Sequence, residues 1–111
     1  MNLNAVRGDT FTLPIQIKNN GIPMDISGWT FFFTMKNKIN DSDANAVLKR
    51  DIVIHVDANQ GRTQLVLSAT DTANFVGSYV YDFQFRDING NVGTFLLGTM
   101  NFVKDVSRRI A

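Results

Sequence analysis

Residues 79–86 read Tyr-Val-Tyr-Asp-Phe-Gln-Phe-Arg. Aromatic side chains occupy every second position, and mostly polar side chains occupy the positions between them. Because a β-strand turns successive side chains to opposite faces, this period of two predicts a strand with one buried aromatic face. Tyr79 opens this stretch just after Gly77, where a sandwich fold often places the hydrogen bond of a tyrosine corner.

The same period of two recurs along most of the chain. Residues 29–36 place Trp29 and further aromatic side chains on one face. Pro14 has no amide hydrogen to donate, so the strand that contains it is predicted at a sheet edge. Gly98 predicts a bulge in the last strand. In total we predict about seven strands, at residues 11–18, 22–26, 29–36, 47–56, 63–67, 79–86 and 92–103.

The segments between these strands are short and rich in turn-forming residues. Asn20-Gly21 is a strong signal for a two-residue hairpin. Ser68, with Asp71 three residues later, predicts a capped helical turn that ends near Gly77. No segment is long enough to be a crossover helix between parallel strands, so the sheets are predicted to be antiparallel.

These patterns predict an all-β fold, an immunoglobulin-like antiparallel β-sandwich of about seven strands with one short helical turn. A jelly roll or a small barrel remains an alternative, because periodicity does not distinguish how a sheet closes. The length of 111 residues predicts one domain, residues 1–111, with residues 104–111 as a tail.

Composition excludes several classes of protein. Apolar residues make up 44% and charged residues 19%, an ordinary globular balance. The net charge of +1 does not favour nucleic acid or a membrane surface as partner. Cysteine is absent, which excludes disulfides, thiolate metal sites and cysteine nucleophiles. The first residues lack the apolar run of a signal peptide, so we expect synthesis in a cytoplasm and no secretion.

No arrangement of residues predicts catalysis or a cofactor. His55 is the single histidine and is predicted to lie on a strand at the surface or an edge. Residues 41–45 begin like a calcium loop, but Ala46 stands where the loop requires glycine and Ile52 where it requires an acidic ligand. We therefore predict no enzyme activity, no metal, no cofactor and no small-molecule substrate. Residues 7–9, Arg-Gly-Asp, match an adhesion tripeptide, but a match of three residues carries little weight.

A candidate interface follows from the predicted sheet. If the strands at residues 29–36, 79–86 and 92–103 share one sheet, their aromatic positions fill its inner face. The outer face would then carry an apolar row, which predicts contact with another copy of the chain or a neighbouring protein. The alternative is that residues 37–46 or the tail fold over this row. The predicted interface residues are Phe32, Val80, Phe95 and Leu97.

An ordered set of short segments resembles the N-terminal domain family of the baseplate upper proteins of tailed phages and prophages of Gram-positive bacteria. The resemblance covers nearly the whole chain. The segments are residues 7–10, 20–29, 65–68 with Asp71-Thr72, 77–82, 90–92 with Thr94, and 105–108.

The resemblance implies a non-enzymatic structural protein of the phage tail or baseplate that acts as an assembly or attachment module. It also implies other tail or baseplate proteins as partners, a possible homo-oligomer, and a place in the virion tail after synthesis in the bacterial cytoplasm. Family members often continue into a longer fibre region, so the chain is expected to be either a small tail protein or a fragment of a longer one. An immunoglobulin-like adhesion or carbohydrate-binding module is the main alternative, and an accessory domain of a cell-wall hydrolase is a weaker one.

Overall fold

The structure is a computed structural model that describes residues 2–38 and 46–103. Nine strands, one α-helical turn and one 3-10 turn make up its regular elements. The strands are β1 (Asn2–Val6), β2 (Phe11–Gln16), β3 (Lys18–Asn19), β4 (Ile22–Pro23), β5 (Thr30–Lys36), β6 (Leu48–Ile52), β7 (Arg62–Leu67), β8 (Gly77–Arg86) and β9 (Val92–Val103). The helix α1 spans Ala69–Thr72, and the 3-10 turn spans Ala58–Gln60. No helix among these residues is long and apolar enough to span a membrane.

A five-stranded sheet with the order β1-β9-β8-β5-β6 forms one layer of the fold. The prediction that residues 29–36, 79–86 and 92–103 share a sheet is confirmed, because β8 pairs with both β5 and β9. The pair β2-β7 forms the second layer and covers the inner face of the larger sheet. The predicted all-β sandwich is therefore confirmed, with two layers of unequal size and a separate two-stranded sheet, β3-β4.

One edge of the large sheet is parallel, contrary to the prediction that the sheets are antiparallel. Strand β1 pairs in parallel with β9, with Leu3 opposite Met100 and Ala5 opposite Phe102. A parallel pair needs a long connection, but that connection need not be a helix. Here the first and last described strands pair with each other. The connection between them is therefore most of the chain.

A bulge in β9 changes the face to which Phe95 belongs. Leu96 lies opposite Phe83 and Thr94 lies opposite Gln84, so Phe95 is the extra residue in this strand. The predicted bulge at Gly98 is wrong, because Gly98 pairs in regular register with Tyr81. The bulge turns both Phe95 and Leu96 towards the core.

The core lies between the inner face of the five-stranded sheet and the β2-β7 pair. Phe33 and Phe83 are fully buried at its centre, with ring centroids 4.9 Å apart. From the opposite layer, Leu65 and Leu67 of β7 are also fully buried. Trp29 lies on the same inner face, as predicted, half-buried and stacked on Phe85 at 5.2 Å.

Short polar segments connect these layers. The hairpin at Asn20-Gly21 is confirmed, since both residues have positive φ and join β3 to β4. Ser68 and Asp71 form the predicted cap of α1: the Asp71 amide donates to the Ser68 hydroxyl, and the Ser68 amide donates to the Asp71 carboxylate. Tyr79 donates its hydroxyl to the Val76 carbonyl at 3.3 Å, close to the predicted corner contact.

Candidate interaction surface on the outer sheet face

The outer face of the five-stranded sheet carries the predicted interface, so the register determines what lies together on it. Val80 of β8 lies opposite Thr99 of β9, and Asp82 lies opposite Leu97. Val80 and Leu97 are therefore diagonal neighbours on adjacent strands. The Leu97 side chain is 64% exposed, and Val80 is half-buried.

A groove of about 460 Å³ runs across the middle of this face. Three strands, β5, β8 and β9, contribute its walls. Val80 and Leu97 supply its apolar part. The lining residues are Thr34, Lys36, Val80, Tyr81, Asp82, Thr94, Leu97, Gly98 and Thr99.

The polar part of the groove consists of three threonine hydroxyls and two opposite charges. Thr34 lies opposite Asp82, and Lys36 lies opposite Val80, so the Lys36 ammonium and the Asp82 carboxylate stand on diagonal positions. Tyr81 contributes its backbone, because its side chain is only 4% exposed and its ring lies in the core. Burial raises the pKa of the Tyr81 phenol, so this group stays neutral at physiological pH.

Two of the four predicted interface residues do not join this groove. Phe32 is half-buried and lies beneath the guanidinium group of Arg86, whose central carbon is 5.5 Å from the ring centroid. Phe95 lies on the core side, where its ring is 5.5 Å from that of Phe31 and 5.6 Å from that of Phe83. The prediction of an apolar row through Phe95 is therefore wrong, because the bulge in β9 reverses the face of this residue.

A second apolar pair lies at one end of the outer face and was not predicted. Val6 of β1 lies opposite Val103 of β9, and the two side chains are 37% and 52% exposed. The signal for β1 was present in the sequence, because Leu3 and Ala5 alternate with polar residues. Its five residues precede the first strand that the longer patterns predicted, so Val6 was not assigned to a sheet.

His55 is half-buried with its ring turned inward, contrary to the prediction of a surface or edge histidine. Its Nδ1 is 2.9 Å from the Thr63 hydroxyl, and its Nε2 is 2.8 Å from the Trp29 carbonyl. The predicted strand at residues 47–56 ends at Ile52, so the chain around His55 is free to turn inward. This histidine connects two segments of the fold.

The Arg-Gly-Asp sequence at residues 7–9 forms a turn that is held against α1. The Gly8 amide donates to the Thr72 hydroxyl at 3.0 Å, and this hydroxyl donates to the Asp9 carbonyl at 2.8 Å. Thr72 is fully buried. The two hydrogen bonds give the turn a structural role.

Residues 41–45, which resemble the start of a calcium loop, lie outside the described residues. Within residues 2–38 and 46–103, no cluster of acidic and histidine side chains could hold a metal ion.

Comparison with known families identifies the family to which this chain belongs. The model of the BppU N-terminal domain matches residues 2–107. The chain belongs to the BppU N-terminal domain family. The resemblance noted from the sequence segments is thus confirmed. This BppU N-terminal domain is a structural component of the phage tail baseplate, and its family interacts with other tail proteins.

A solved structure supports the fold of this BppU N-terminal domain. It is the N-terminal domain of phage TP901-1 ORF48, which shares 22% sequence identity with the chain at a TM-score of 0.55. The alignment covers 93% of this chain and 83% of that structure. A search of curated proteins found no match.

Proposed function

We propose that this BppU N-terminal domain is a non-enzymatic assembly module of the baseplate, which docks onto a neighbouring tail protein through the outer-face groove. The observation that carries the proposal is the diagonal pair of Val80 and Leu97, set among threonines and charges. Leu97 exposes 64% of its side chain within a strand of the sheet rather than at a loop tip. Burial of this side chain against a partner would remove apolar surface from water.

The composition of the groove supports a protein as the partner. Interfaces between separately folded proteins contain both apolar contacts and hydrogen-bonding groups. Their share of apolar area is about the same as that of ordinary protein surface. The groove offers hydroxyls from Thr34, Thr94 and Thr99 beside its apolar pair. The net charge of +1 gives no general attraction to nucleic acid.

The environment of the single histidine supports a non-enzymatic role. A catalytic base needs a ring nitrogen within reach of the proton that it removes. Both ring nitrogens of His55 are instead engaged by the Thr63 hydroxyl and the Trp29 carbonyl. We further propose that the protein is made in the bacterial cytoplasm and is incorporated there into the growing tail.

Virion incorporation tests this function. A phage that lacks the gene is complemented with the wild-type protein, with Leu97→Asp, or with Ile88→Asp as the matched control. Ile88 is an exposed aliphatic residue like Leu97, at 74%, but lies in the loop between β8 and β9. Purified particles are then probed for the protein. We expect wild-type and Ile88→Asp proteins in the particles and a strong loss of Leu97→Asp.

Two results would count against this function. Normal incorporation of a folded Leu97→Asp protein would remove the groove as the docking surface. Absence of the wild-type protein from particles would remove the assembly role and would favour the adhesion or carbohydrate-binding alternative. The groove gives that alternative little support, because stacking on sugars requires an exposed aromatic ring, and Tyr81 turns its ring into the core.

A further inference from the structure

The edge strand β6 lies at the centre of a symmetric sequence. Residues 46–54 read Ala-Val-Leu-Lys-Arg-Asp-Ile-Val-Ile, with three apolar residues, three charged residues and three apolar residues. Arg50 is the midpoint. Lys49 and Asp51 flank it with opposite charges. Reversal of the segment about Arg50 therefore exchanges the positions of a positive and a negative side chain.

The position of β6 leaves one side of this segment without a neighbouring strand. Among the described strands, β6 pairs only with β5, and it ends the order of the five-stranded sheet. Lys49 and Asp51 are both exposed on the outer face. Within residues 2–38 and 46–103, neither side chain has an ion-pair partner. The edge therefore offers both backbone hydrogen-bonding groups and two unlike charges.

Arg50 points the other way and already has a partner. Its register opposite Phe33 places it on the inner side, where its guanidinium group pairs with the carboxylate of Asp71 in α1. A second nitrogen of the same group donates to the Lys49 carbonyl at 3.0 Å. This ion pair neutralises the midpoint of the segment, so the charge pattern of the free outer edge is set by Lys49 and Asp51.

We propose that β6 pairs antiparallel with β6 of a second copy of the chain, about a two-fold axis at Arg50. In this register Lys49 of each copy lies opposite Asp51 of the other, so two attractive cross-strand pairs form. Leu48 lies opposite Ile52 of the second copy. Just beyond the strand, Val53 lies opposite Val47 of the second copy. Val53 is 63% exposed in the single chain. The two five-stranded sheets join into one continuous sheet.

The charge pattern favours this occupant over simple protection of the edge. Proteins often block an edge strand with charged side chains, which repel a second strand when they share one sign. Here the two exposed charges have opposite signs and stand at positions that an antiparallel two-fold exchanges. Self-pairing therefore brings unlike charges together, and a two-fold interface must be complementary to itself.

Charge reversal tests the dimer. Lys49→Asp carries acidic residues at both positions, and Asp51→Lys carries lysines at both. We expect the wild type to show a monomer–dimer equilibrium in sedimentation at micromolar to millimolar concentration. Each single variant should raise the dimer dissociation constant by about tenfold or more, because two attractive pairs become two repulsive ones.

Two combinations of these charge changes, a mixture of the single variants and a double variant, provide the matched controls. Mixing Lys49→Asp with Asp51→Lys should restore association as a heterodimer, since unlike charges then face each other at both pairs. The double variant K49D/D51K should self-associate like the wild type. Thermal unfolding confirms that each variant is folded, which we expect because both side chains are exposed.

A wild type that stays monomeric over this whole range would overturn the proposal. So would single variants that dimerise as tightly as the wild type, or a mixture that does not associate. These results are independent of the outer-face groove, because Leu97→Asp leaves β6 unchanged and should retain the dimer.

Discussion

The Nε2 atom of His55 lies 2.8 Å from the carbonyl oxygen of Trp29, and this hydrogen bond joins residues 26 positions apart in the chain. The carbonyl can only accept, so Nε2 carries a proton, and in the neutral imidazole Nδ1 then accepts from the Thr63 hydroxyl. The Phe31 ring meets the imidazole edge-on, with centroids 5.4 Å apart. The imidazole therefore holds the start of β5 to β7.

Replacement of this imidazole should destabilise the fold. Thr63 is 1% exposed, so His55→Ala leaves its hydroxyl buried without this partner. We expect a loss of about 1–3 kcal/mol in the free energy of unfolding, measured by urea titration. Thr63→Val in the His55→Ala background should recover part of the loss. A loss below about 0.5 kcal/mol, the level of an ordinary surface change, would contradict the bridging role.

Gly61 should tolerate no side chain. It has a φ of +71°, and a Cβ there would lie 2.4 Å from the Ile17 carbonyl oxygen and 2.7 Å from that of Met24. Gly90 has a φ of +84° but open space around it, so Gly90→Ala is the matched control. Gly90→Ala should cost about 1–2 kcal/mol for its backbone conformation alone. Gly61→Ala should cost roughly 2 kcal/mol more, seen as a further drop in Tm. Equal losses of stability in Gly61→Ala and Gly90→Ala would show that the two carbonyls move aside freely.

Phe95 and Leu97 should differ in their effect on stability. Phe95 packs against the aromatic core, and Leu97 is 64% exposed on the outer face. Phe95→Ala should lower the free energy of unfolding by about 2–3 kcal/mol, somewhat less than a fully buried phenylalanine. Leu97→Ala should change it by no more than about 0.5 kcal/mol. Similar losses from both substitutions in chemical denaturation would contradict the bulge in β9.

Asp71 should make stability depend on acid pH. The pKa of its carboxyl is lowered, mainly because the Ser68 amide donates to it; burial acts in the opposite direction, and the Ser68 hydroxyl and Arg50 also lower it. A lowered pKa in the folded state adds stability above the unfolded value of about 4, and this stability is lost as pH falls through the folded value. Asp71→Asn should therefore show a shallower loss of stability between about pH 5 and pH 2, measured by urea unfolding at each pH. Parallel curves for the two proteins would contradict the assignment.

Calcium should add no stability to the protein. The sequence at residues 41–45 begins like a calcium loop but lacks the required glycine and the final acidic ligand. Thermal unfolding with a chelator and with millimolar calcium should give the same Tm. A rise of several degrees with calcium, equivalent to about 1 kcal/mol for a chain of this size, would show that this loop binds the ion.

The candidate site was only partly predictable. Phe32, Val80 and Leu97 were placed on the outer face by alternation, since each lies in a stretch of unbroken register. Phe95 was misplaced because it is itself the extra residue in β9, so the alternation that places Leu97 on the outer face does not extend to it. No turn-forming residue marks that bulge. Val6 was missed because β1 precedes the longer alternating patterns, which begin at Phe11, and its parallel partner β9 lies at the other end of the described chain.

Local properties were enough to predict an all-β protein with one short helical turn. These properties are side-chain alternation, the hairpin at Asn20-Gly21 and the cap at Ser68 and Asp71. The pairing of strand edges depends on residues far apart in the chain. The three-dimensional fold was needed to show that β1 lies parallel to β9, that His55 points inward and that β6 ends the sheet. Backbone hydrogen bonds between strands are insensitive to side-chain identity, so packing of the whole core selects among the available partners.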